Sequence, residues 1–142
     1  MKIFVTGATG FIGRNFLSRL LDHLAADARV FVLVRRAVQF ADPRVVPVVG
    51  DLESVGTHAE VLSQCDYVFH IGALATFDSR LNYDAVNYEP TKQIVDILLS
   101  NSVLRNFVFV STIGVLDRDK RDRCDQPLNS NSTPSPISAY GR

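Results

Sequence analysis

The sequence predicts a doubly wound α/β domain, in which helices cover both faces of a parallel sheet. Short apolar runs rich in β-branched residues alternate with amphipathic stretches along the 142 residues, as expected for strands joined by helical crossovers. A glycine-rich turn directly follows the first of these runs. Because ligands of such sheets bind at the carboxyl ends of the strands, we expect the functional residues just after each strand.

The first half of the chain predicts three strands and one helix. The run KIFVT (2–6) is apolar and stops at a glycine, and residues 11–26 then place leucine and phenylalanine at helical spacing. The segment RVFVLV (29–34) is nearly all apolar, which is typical of a strand covered on both faces. RVVPVV (44–49) is the third strand, and its Pro47 favours an edge position because proline cannot donate to a ladder.

The second half predicts two helices and two strands. A short helix is expected at 53–64, a strand at DYVFHIG (66–72), a longer helix at 83–101 and a fifth strand at NFVFVST (106–112). Pro90 marks either the start of the longer helix or a kink in it. Residues 116–138 are polar and contain three prolines, which indicates one long functional or mobile loop.

Composition narrows the class of partner and the compartment. Fifteen basic and fifteen acidic residues balance, so we expect neither a nucleic-acid nor a membrane partner. The charged run at 117–125 alternates in sign and indicates a solvated loop. Cys65 and Cys124 lack metal-ligand spacing, so we expect two reduced thiols and no metal. No apolar run reaches membrane-spanning length, and a cytoplasmic protein is expected.

Three glycines with the spacing G-x-x-G-x-x-G follow the first strand, at positions 7, 10 and 13. In a strand–turn–helix unit the first glycine permits the tight turn, the second lets the backbone approach a pyrophosphate, and the third allows close helix–strand packing. The helix start supplies N–H groups and partial positive charge. This turn therefore predicts nucleotide binding.

The ends of the other strands carry polar residues with more than one interpretation. Arg35 stands where an acid would bind the adenosine ribose, which favours NADP over NAD. Asp51 is either an acceptor for the adenine amine or a helix N-cap. His70 ends a buried strand, and a core histidine is favoured over a catalytic base. Ser111 and Thr112 are hydroxyls that could also cap the exit from the fifth strand.

Taken together, these motifs resemble the N-terminal part of the extended short-chain dehydrogenases/reductases, the NAD-dependent epimerase/dehydratase family with a Rossmann fold. The resemblance covers all 142 residues, and its most specific piece is TGATGFIG (6–13). The further matching motifs are GDL (50–52), HIGA (70–73), VN (86–87), FVFVST (107–112) and SAYGR (138–142).

The resemblance implies roles for individual residues. The residues implied to bind the cofactor are Gly7, Gly10, Phe11, Ile12, Gly13, Arg35, Asp51, Leu52, Ile71, Gly72, Ala73 and Asn87. The catalytic hydroxyl falls on Thr112 and the catalytic tyrosine on Tyr140. In this chemistry the tyrosine is the acid/base at a carbonyl or alcohol oxygen, which the hydroxyl orients and polarises. NADP is the expected cofactor, with NAD as the alternative, and a small molecule is the expected substrate.

Two departures from the family pattern shape the predicted function. The stretch after Thr112 lacks the aromatic–glycine pair common in sugar epimerases, whereas VLVRR (32–36) is similar to reductase-like branches acting on carbonyl, thioester or steroid-like substrates. In addition, the lysine of the family's Tyr-x-x-x-Lys motif would fall at position 144. Residues 1–142 are therefore expected to be the five-strand, cofactor-binding portion of a longer domain, without the substrate region.

We therefore expect the intact protein to be an NADP(H)-dependent oxidoreductase or epimerase/dehydratase acting on a carbonyl or hydroxyl compound. The 142-residue chain alone is expected to be inactive. The alternative is a non-catalytic, sensor-like dinucleotide-binding module. The sequence leaves open whether the chain forms homo-oligomers.

Overall fold

A computed structural model describes residues 1–76, 80–116 and 127–142. The chain divides into two compact units. The first consists of Met1–Leu74 and Asp84–Val110, and the second of Ala75–Tyr83 and Ser111–Arg142. None of the helices within these described ranges is long and apolar enough to cross a bilayer.

The first unit is built on a five-stranded parallel sheet. Its strands are β1 (Lys2–Thr6), β2 (Arg29–Val34), β3 (Val45–Val49), β4 (Tyr67–His70) and β5 (Asn106–Phe109). Their spatial order is β3-β2-β1-β4-β5, and every pair is parallel. The chain thus winds from β1 to one edge and then crosses to the other side, which confirms the predicted doubly wound α/β class. Pro47 lies in β3, an edge strand, as predicted.

Three α-helices cover the sheet, and each is shorter than predicted. They are α1 (Phe11–Asp22), α2 (Ala59–Leu62) and α3 (Glu89–Leu98). The helix predicted at 53–64 is a 3₁₀ turn, Val55–His58, followed by the single turn of α2. A π-helical turn, Asp84–Tyr88, precedes α3, and Pro90 is the second residue of α3, so it marks a helix start.

Helix α1 ends at Asp22 although the apolar spacing continues to Leu24. The N–H of Leu24 donates to the carbonyl of Leu21 at 3.4 Å, an i to i−3 bond that tightens the last turn. The carbonyl of Leu24 then accepts from Nη1 of Arg44 at 2.6 Å. Leu24 still packs against the core of α1 and the sheet. The apolar residue at position 24 is therefore explained by packing against the core, and it does not indicate that the helix continues.

Apolar side chains fill the space on both faces of the sheet. One cluster contains Leu17 of α1 with Val30 and Val32 of β2. A separate cluster contains Phe4 of β1 and Ile94 of α3. Strands that are buried on both faces have near-continuous apolar sequences, so these two clusters explain the composition of β1 and β2.

The second unit contains a 3₁₀ turn, Ile113–Leu116, and a C-terminal stretch without helix or strand at 127–142. The N–H of Ser135 donates to the carbonyl of Val115 at 2.9 Å. A Cβ at Gly141 would lie 2.3 Å from the carbonyl oxygen of Gly114, so these two backbones touch. The predicted loop 116–138 is non-regular over 127–138. The charged run at 117–125 and Cys124 lie outside the described residues.

Candidate functional site

The turn between β1 and α1 depends on the special backbone of Gly7. Its φ is +73°, a left-handed conformation that glycine adopts without strain. The N–H of Gly10 donates back to the carbonyl of Gly7 at 3.0 Å and closes the turn. A Cβ at Gly7 would lie 2.5 Å from the backbone nitrogen of Gly72. The ends of β1 and β4 therefore meet in direct backbone contact.

Helix α1 begins at this turn with no side-chain cap. Gly10 is the N-cap residue and makes no side-chain capping bond, and the first turn contains no acidic residue. Such a helix start has unpaired N–H groups and partial positive charge. Gly13 packs α1 onto the turn, because a Cβ there would lie 2.0 Å from the carbonyl oxygen of Gly7. The arrangement suits an anionic group such as a pyrophosphate.

The turn opens into a cleft of about 420 Å³ at the carboxyl ends of the strands. Seven residues predicted to bind the cofactor line it: Gly7, Gly10, Arg35, Asp51, Leu52, Gly72 and Ala73. Six further residues, to which the sequence analysis assigned no cofactor role, also line it: Thr9, Leu33, Gly50, Glu53, Leu74 and Val86. Thr9, Leu33, Gly50 and Val86 lie within quoted motifs, and Glu53 and Leu74 directly follow GDL (50–52) and HIGA (70–73).

The other predicted cofactor residues lie outside this lining. Phe11 and Ile12 are exposed at the start of α1, and Gly13 is buried beneath the turn. Ile71 packs against the core. Asn87 does not line the cleft but binds Leu74, which does. Its Oδ1 accepts from the N–H of Leu74 at 2.7 Å, and its Nδ2 donates to the Leu74 carbonyl at 3.1 Å.

Arg35 and Asp51 follow neighbouring strands at one end of the cleft. The N–H of Gly50 donates to the carbonyl of Val34 at 2.9 Å, which ties the end of β3 to the end of β2. Oδ1 of Asp51 accepts from the hydroxyl of Ser54 at 2.7 Å and from its N–H at 2.9 Å. These bonds, with a smaller contribution from the charge of Arg35, hold the pKa of the Asp51 carboxyl below its usual range. Asp51 thus closes a turn with Ser54 and is not the helix N-cap that one of its two interpretations predicted, since Ser54 precedes Val55–His58 and His58 precedes α2. Asp51 also lines the cleft.

His70 is buried at the end of β4 and is bonded at both ring nitrogens. Nδ1 lies 2.6 Å from Oγ1 of Thr6, and Nε2 lies 2.9 Å from Oγ1 of Thr91. The ring also stacks on Phe109 at a centroid distance of 5.5 Å. Burial lowers the pKa of His70 to about 4. The preference for a core histidine over a catalytic base is confirmed.

Both predicted catalytic residues belong to the second unit. Thr112 is half-buried and its Oγ1 accepts from the N–H of Gly114 at 3.2 Å. Tyr140 is half-buried and packs edge-on against Tyr83 at a centroid distance of 5.9 Å. The contact between the Gly114 and Gly141 backbones brings the segments that follow Thr112 and Tyr140 together within this unit.

Comparison with known proteins agrees with the geometry of the glycine turn and cleft. The family model described as NAD(P)H-binding matches residues 7–136. The chain belongs to this family, among the extended short-chain dehydrogenases/reductases of the NAD-dependent epimerase/dehydratase group.

Three similar proteins illustrate the relationship. A short-chain dehydrogenase/reductase superfamily protein from Agrobacterium tumefaciens, solved with bound NAD, is 27% identical with a TM-score of 0.76, over 99% of this chain and 41% of that one. A polyketide synthase–nonribosomal peptide synthetase of Pyricularia grisea is 32% identical over 81% of this chain and 3% of its own length. A 4-hydroxy-2-methyl-3-oxo-4-farnesyl-3,4-dihydroquinoline-1-oxide ketoreductase of Stigmatella aurantiaca is 36% identical over 54% of this chain and 23% of its own. The chain thus spans less than half of each.

Proposed function

We propose that the cleft of the first unit binds NADP(H) and serves a hydride-transferring oxidoreductase. The observation that carries this proposal is the convergence of three features on one cleft. These are the left-handed turn at Gly7, the uncapped start of α1 at Gly10, and Arg35 at the end of β2. A dinucleotide has a pyrophosphate for the first two features and, in NADP(H), a 2′-phosphate for the third.

The residues around the cleft suit an adenosine group next to the pyrophosphate. Leu33 and Leu52 offer apolar surface for a ring, and Arg35 is exposed, so its guanidinium can form charge-assisted hydrogen bonds to a phosphate. Asp51 is fixed in place by Ser54, which leaves its remaining carboxylate lone pairs as acceptors facing the same region. When bound, the nicotinamide of the cofactor exchanges hydride with substrate.

We propose that Tyr140 is the acid/base for proton transfer and that the hydroxyl of Thr112 orients the reacting oxygen. The support is the match of FVFVST (107–112) and SAYGR (138–142) to the family motifs. Carbonyl reduction is the favoured outcome, because VLVRR (32–36) is similar to reductase-like branches and one relative is a ketoreductase. The substrate is then a small carbonyl compound that is reduced to an alcohol.

Cofactor preference is tested by exchanging the charge at Arg35. We expect Arg35→Asp to weaken NADPH binding by about tenfold or more while NADH binding is retained, since a carboxylate repels the 2′-phosphate. Arg36→Asp is the matched control, because Arg36 is also exposed but does not line the cleft. Equal loss in both variants would show a general charge effect, and no loss in either would refute the assignment of Arg35.

Catalysis is tested with NADPH and a panel of an aldehyde, a ketone and a thioester, using the longest natural form of the protein. We expect turnover that falls by about a hundredfold or more in Tyr140→Phe and Thr112→Ala, in keeping with general acid–base catalysis. NADPH affinity should be unchanged in both variants. Tight NADPH binding without turnover of any carbonyl compound would favour the non-catalytic dinucleotide module instead.

A further inference from the structure

The backbone that follows β4 lines the cleft without belonging to the sheet. Ladder pairing ends where Thr6 faces His70, and residues 71–76 form no helix or strand. Gly72, Ala73 and Leu74 nevertheless line the cleft. Outside the ladder, the N–H groups of Ile71, Gly72 and Leu74 donate instead to side chains, which hold the path of this segment.

Thr6 supplies the acceptor at the start of the segment. Its Oγ1 accepts from the N–H of Gly72 at 3.0 Å and from the N–H of Ile71 at 3.2 Å. A hydroxyl has two acceptor lone pairs and a single proton. With both lone pairs occupied, the hydroxyl of Thr6 donates its proton to Nδ1 of His70, 2.6 Å away.

The direction of this bond fixes the rest of the network. Because Nδ1 of His70 accepts, the ring proton is on Nε2, which donates to Oγ1 of Thr91 at 2.9 Å. Thr91 in turn donates to the carbonyl of Asn87 at 2.5 Å. These bonds form a row from Thr6 through His70 and Thr91 to Asn87. One tautomer, neutral His70 protonated at Nε2, satisfies every donor and acceptor in this row.

The far end of the row returns to the same segment. The side chain of Asn87 binds the N–H and the carbonyl of Leu74. Thr6 thus fixes the position of Gly72, and Asn87 fixes the position of Leu74. His70 links Thr6 to Asn87 through Thr91. All of these residues belong to the first unit.

We propose that His70 is a positioning residue that fixes the Gly72–Leu74 wall of the cleft in the position that NADP(H) binding requires, by accepting a hydrogen bond from the Thr6 hydroxyl at Nδ1. This inference rests on the proposed binding of NADP(H) at the cleft. The clearance is small: Gly72 touches Gly7 of the pyrophosphate turn, and a Cβ at Gly72 would lie 3.1 Å from both the Gly7 nitrogen and Oγ1 of Thr6. A shift of Gly72 therefore changes the shape of the turn itself.

Two amide variants of His70 separate the two halves of the row. The side-chain amide of asparagine reaches the place of Nδ1, whereas that of glutamine reaches the place of Nε2. His70→Asn keeps an acceptor for Thr6 and loses Thr91, and His70→Gln does the reverse. Both lose the stacking on Phe109, so each is a control for the other in thermal stability.

We expect NADPH affinity within about threefold of the unaltered protein for His70→Asn and about tenfold weaker for His70→Gln, under conditions where both are fully folded. Equal affinity of the two variants, or an affinity loss that follows their melting temperatures alone, would overturn the proposal. If the unaltered protein binds no NADPH, the proposed function fails instead, and the outcomes are therefore distinguishable.

A second pair and a spectroscopic readout keep the proposal testable where a His70 variant does not fold. Thr6→Ser preserves Oγ and should retain NADPH affinity, whereas the isosteric Thr6→Val should lose about tenfold. In the unaltered protein, nitrogen-15 spectra of the His70 ring should show Nδ1 without a proton and Nε2 with one. The opposite tautomer would contradict the proposed direction of the bonds, with or without cofactor.

Discussion

Substitution of Gly13 by alanine tests the packing that shapes the pyrophosphate turn. The new Cβ would lie 2.0 Å from the carbonyl oxygen of Gly7 and 2.7 Å from Cα of Ala8, whereas ordinary contact begins at 3.4 Å. Both neighbours are backbone atoms, which cannot rotate aside, so α1 or the turn must move. Overpacking of this kind costs about 3 kcal/mol at the upper end of its usual range.

Part of this cost is offset because alanine favours helix over glycine by about 1 kcal/mol. We therefore expect Gly13→Ala to lower the free energy of unfolding by about 2 kcal/mol. With an unfolding entropy of about 2.1 cal/mol/K per residue, this corresponds to a fall of about 7 °C in Tm for a chain of this size. Urea titration followed by circular dichroism and a thermal melt would measure both quantities.

Gly56→Ala is the matched control for this experiment. Its Cβ would meet only the side-chain amide of Gln93, with Oε1 at 2.8 Å and Cδ at 3.6 Å, which is the far end of a flexible side chain. Gly56→Ala should therefore be neutral or stabilising by a few tenths of a kcal/mol, through a smaller entropy of the unfolded chain. A Gly13→Ala variant as stable as Gly56→Ala would refute the close packing of α1 on the turn.

Three further predictions concern His70, Cys65 and Asn101 of the first unit. The pKa of His70 is about 4 in the folded chain against an ordinary value of 6.5, so the stability from its neutral form is complete above pH 6.5 and is lost as pH falls from 6.5 towards 4. In this range the free energy of unfolding, measured by urea titration, should change by up to about 1.4 kcal/mol per pH unit because of His70, and His70→Gln should lack this contribution. Parallel pH profiles of stability for the two proteins would contradict the prediction. Cys65 is fully buried, and burial raises the pKa of its thiol to about 11. A maleimide should therefore leave Cys65 unlabelled in the native protein and label it in urea, as measured by mass spectrometry of its peptide. Labelling in the native protein would refute the burial of Cys65. The Asn101 side chain donates to the carbonyls of Leu62 and Cys65 and accepts from the N–H groups of Val103 and Leu104. Asn101→Ala should therefore lower the free energy of unfolding by about 2 kcal/mol, whereas Asn15→Ala, at an exposed position, should change it by less than about 0.5 kcal/mol. Similar values for the two variants would argue against a stabilising role of the Asn101 hydrogen bonds.

The regular part of the fold was predictable wherever local sequence and packing agree. Strands β1 and β2 have their predicted bounds, because uniform apolar runs buried on both faces leave little choice of conformation. The glycine spacing also predicted the turn at Gly7, whose left-handed φ no other residue type adopts as readily. In these places short-range chemistry determines the structure.

The predicted end of the fourth strand was wrong because of a tertiary contact. The fourth strand was predicted to reach residue 72 but ends at His70. Ile71 and Gly72 are apolar and small enough for a strand, yet their N–H groups donate to Oγ1 of Thr6, 65 and 66 residues earlier in the chain. No local pattern signals such a partner.

The candidate site shows the same division. Arg35 and Asp51 were predictable because they end strands, and their position follows from the topology of a parallel sheet. Thr91 bonds to His70, but it lies on the amphipathic helix α3, where a threonine is an ordinary residue. Its role depends on how α3 packs on the sheet, which the sequence pattern alone does not specify.

Direct titration of the unaltered chain with NADPH and with NADH, followed by calorimetry, tests the proposed cofactor most directly. The uncapped helix start, the left-handed turn and Arg35 predict one site per chain and an NADPH dissociation constant at least about tenfold below that for NADH. A failure to bind either dinucleotide would contradict the assignment of the cleft, and tighter binding of NADH would contradict the role of Arg35.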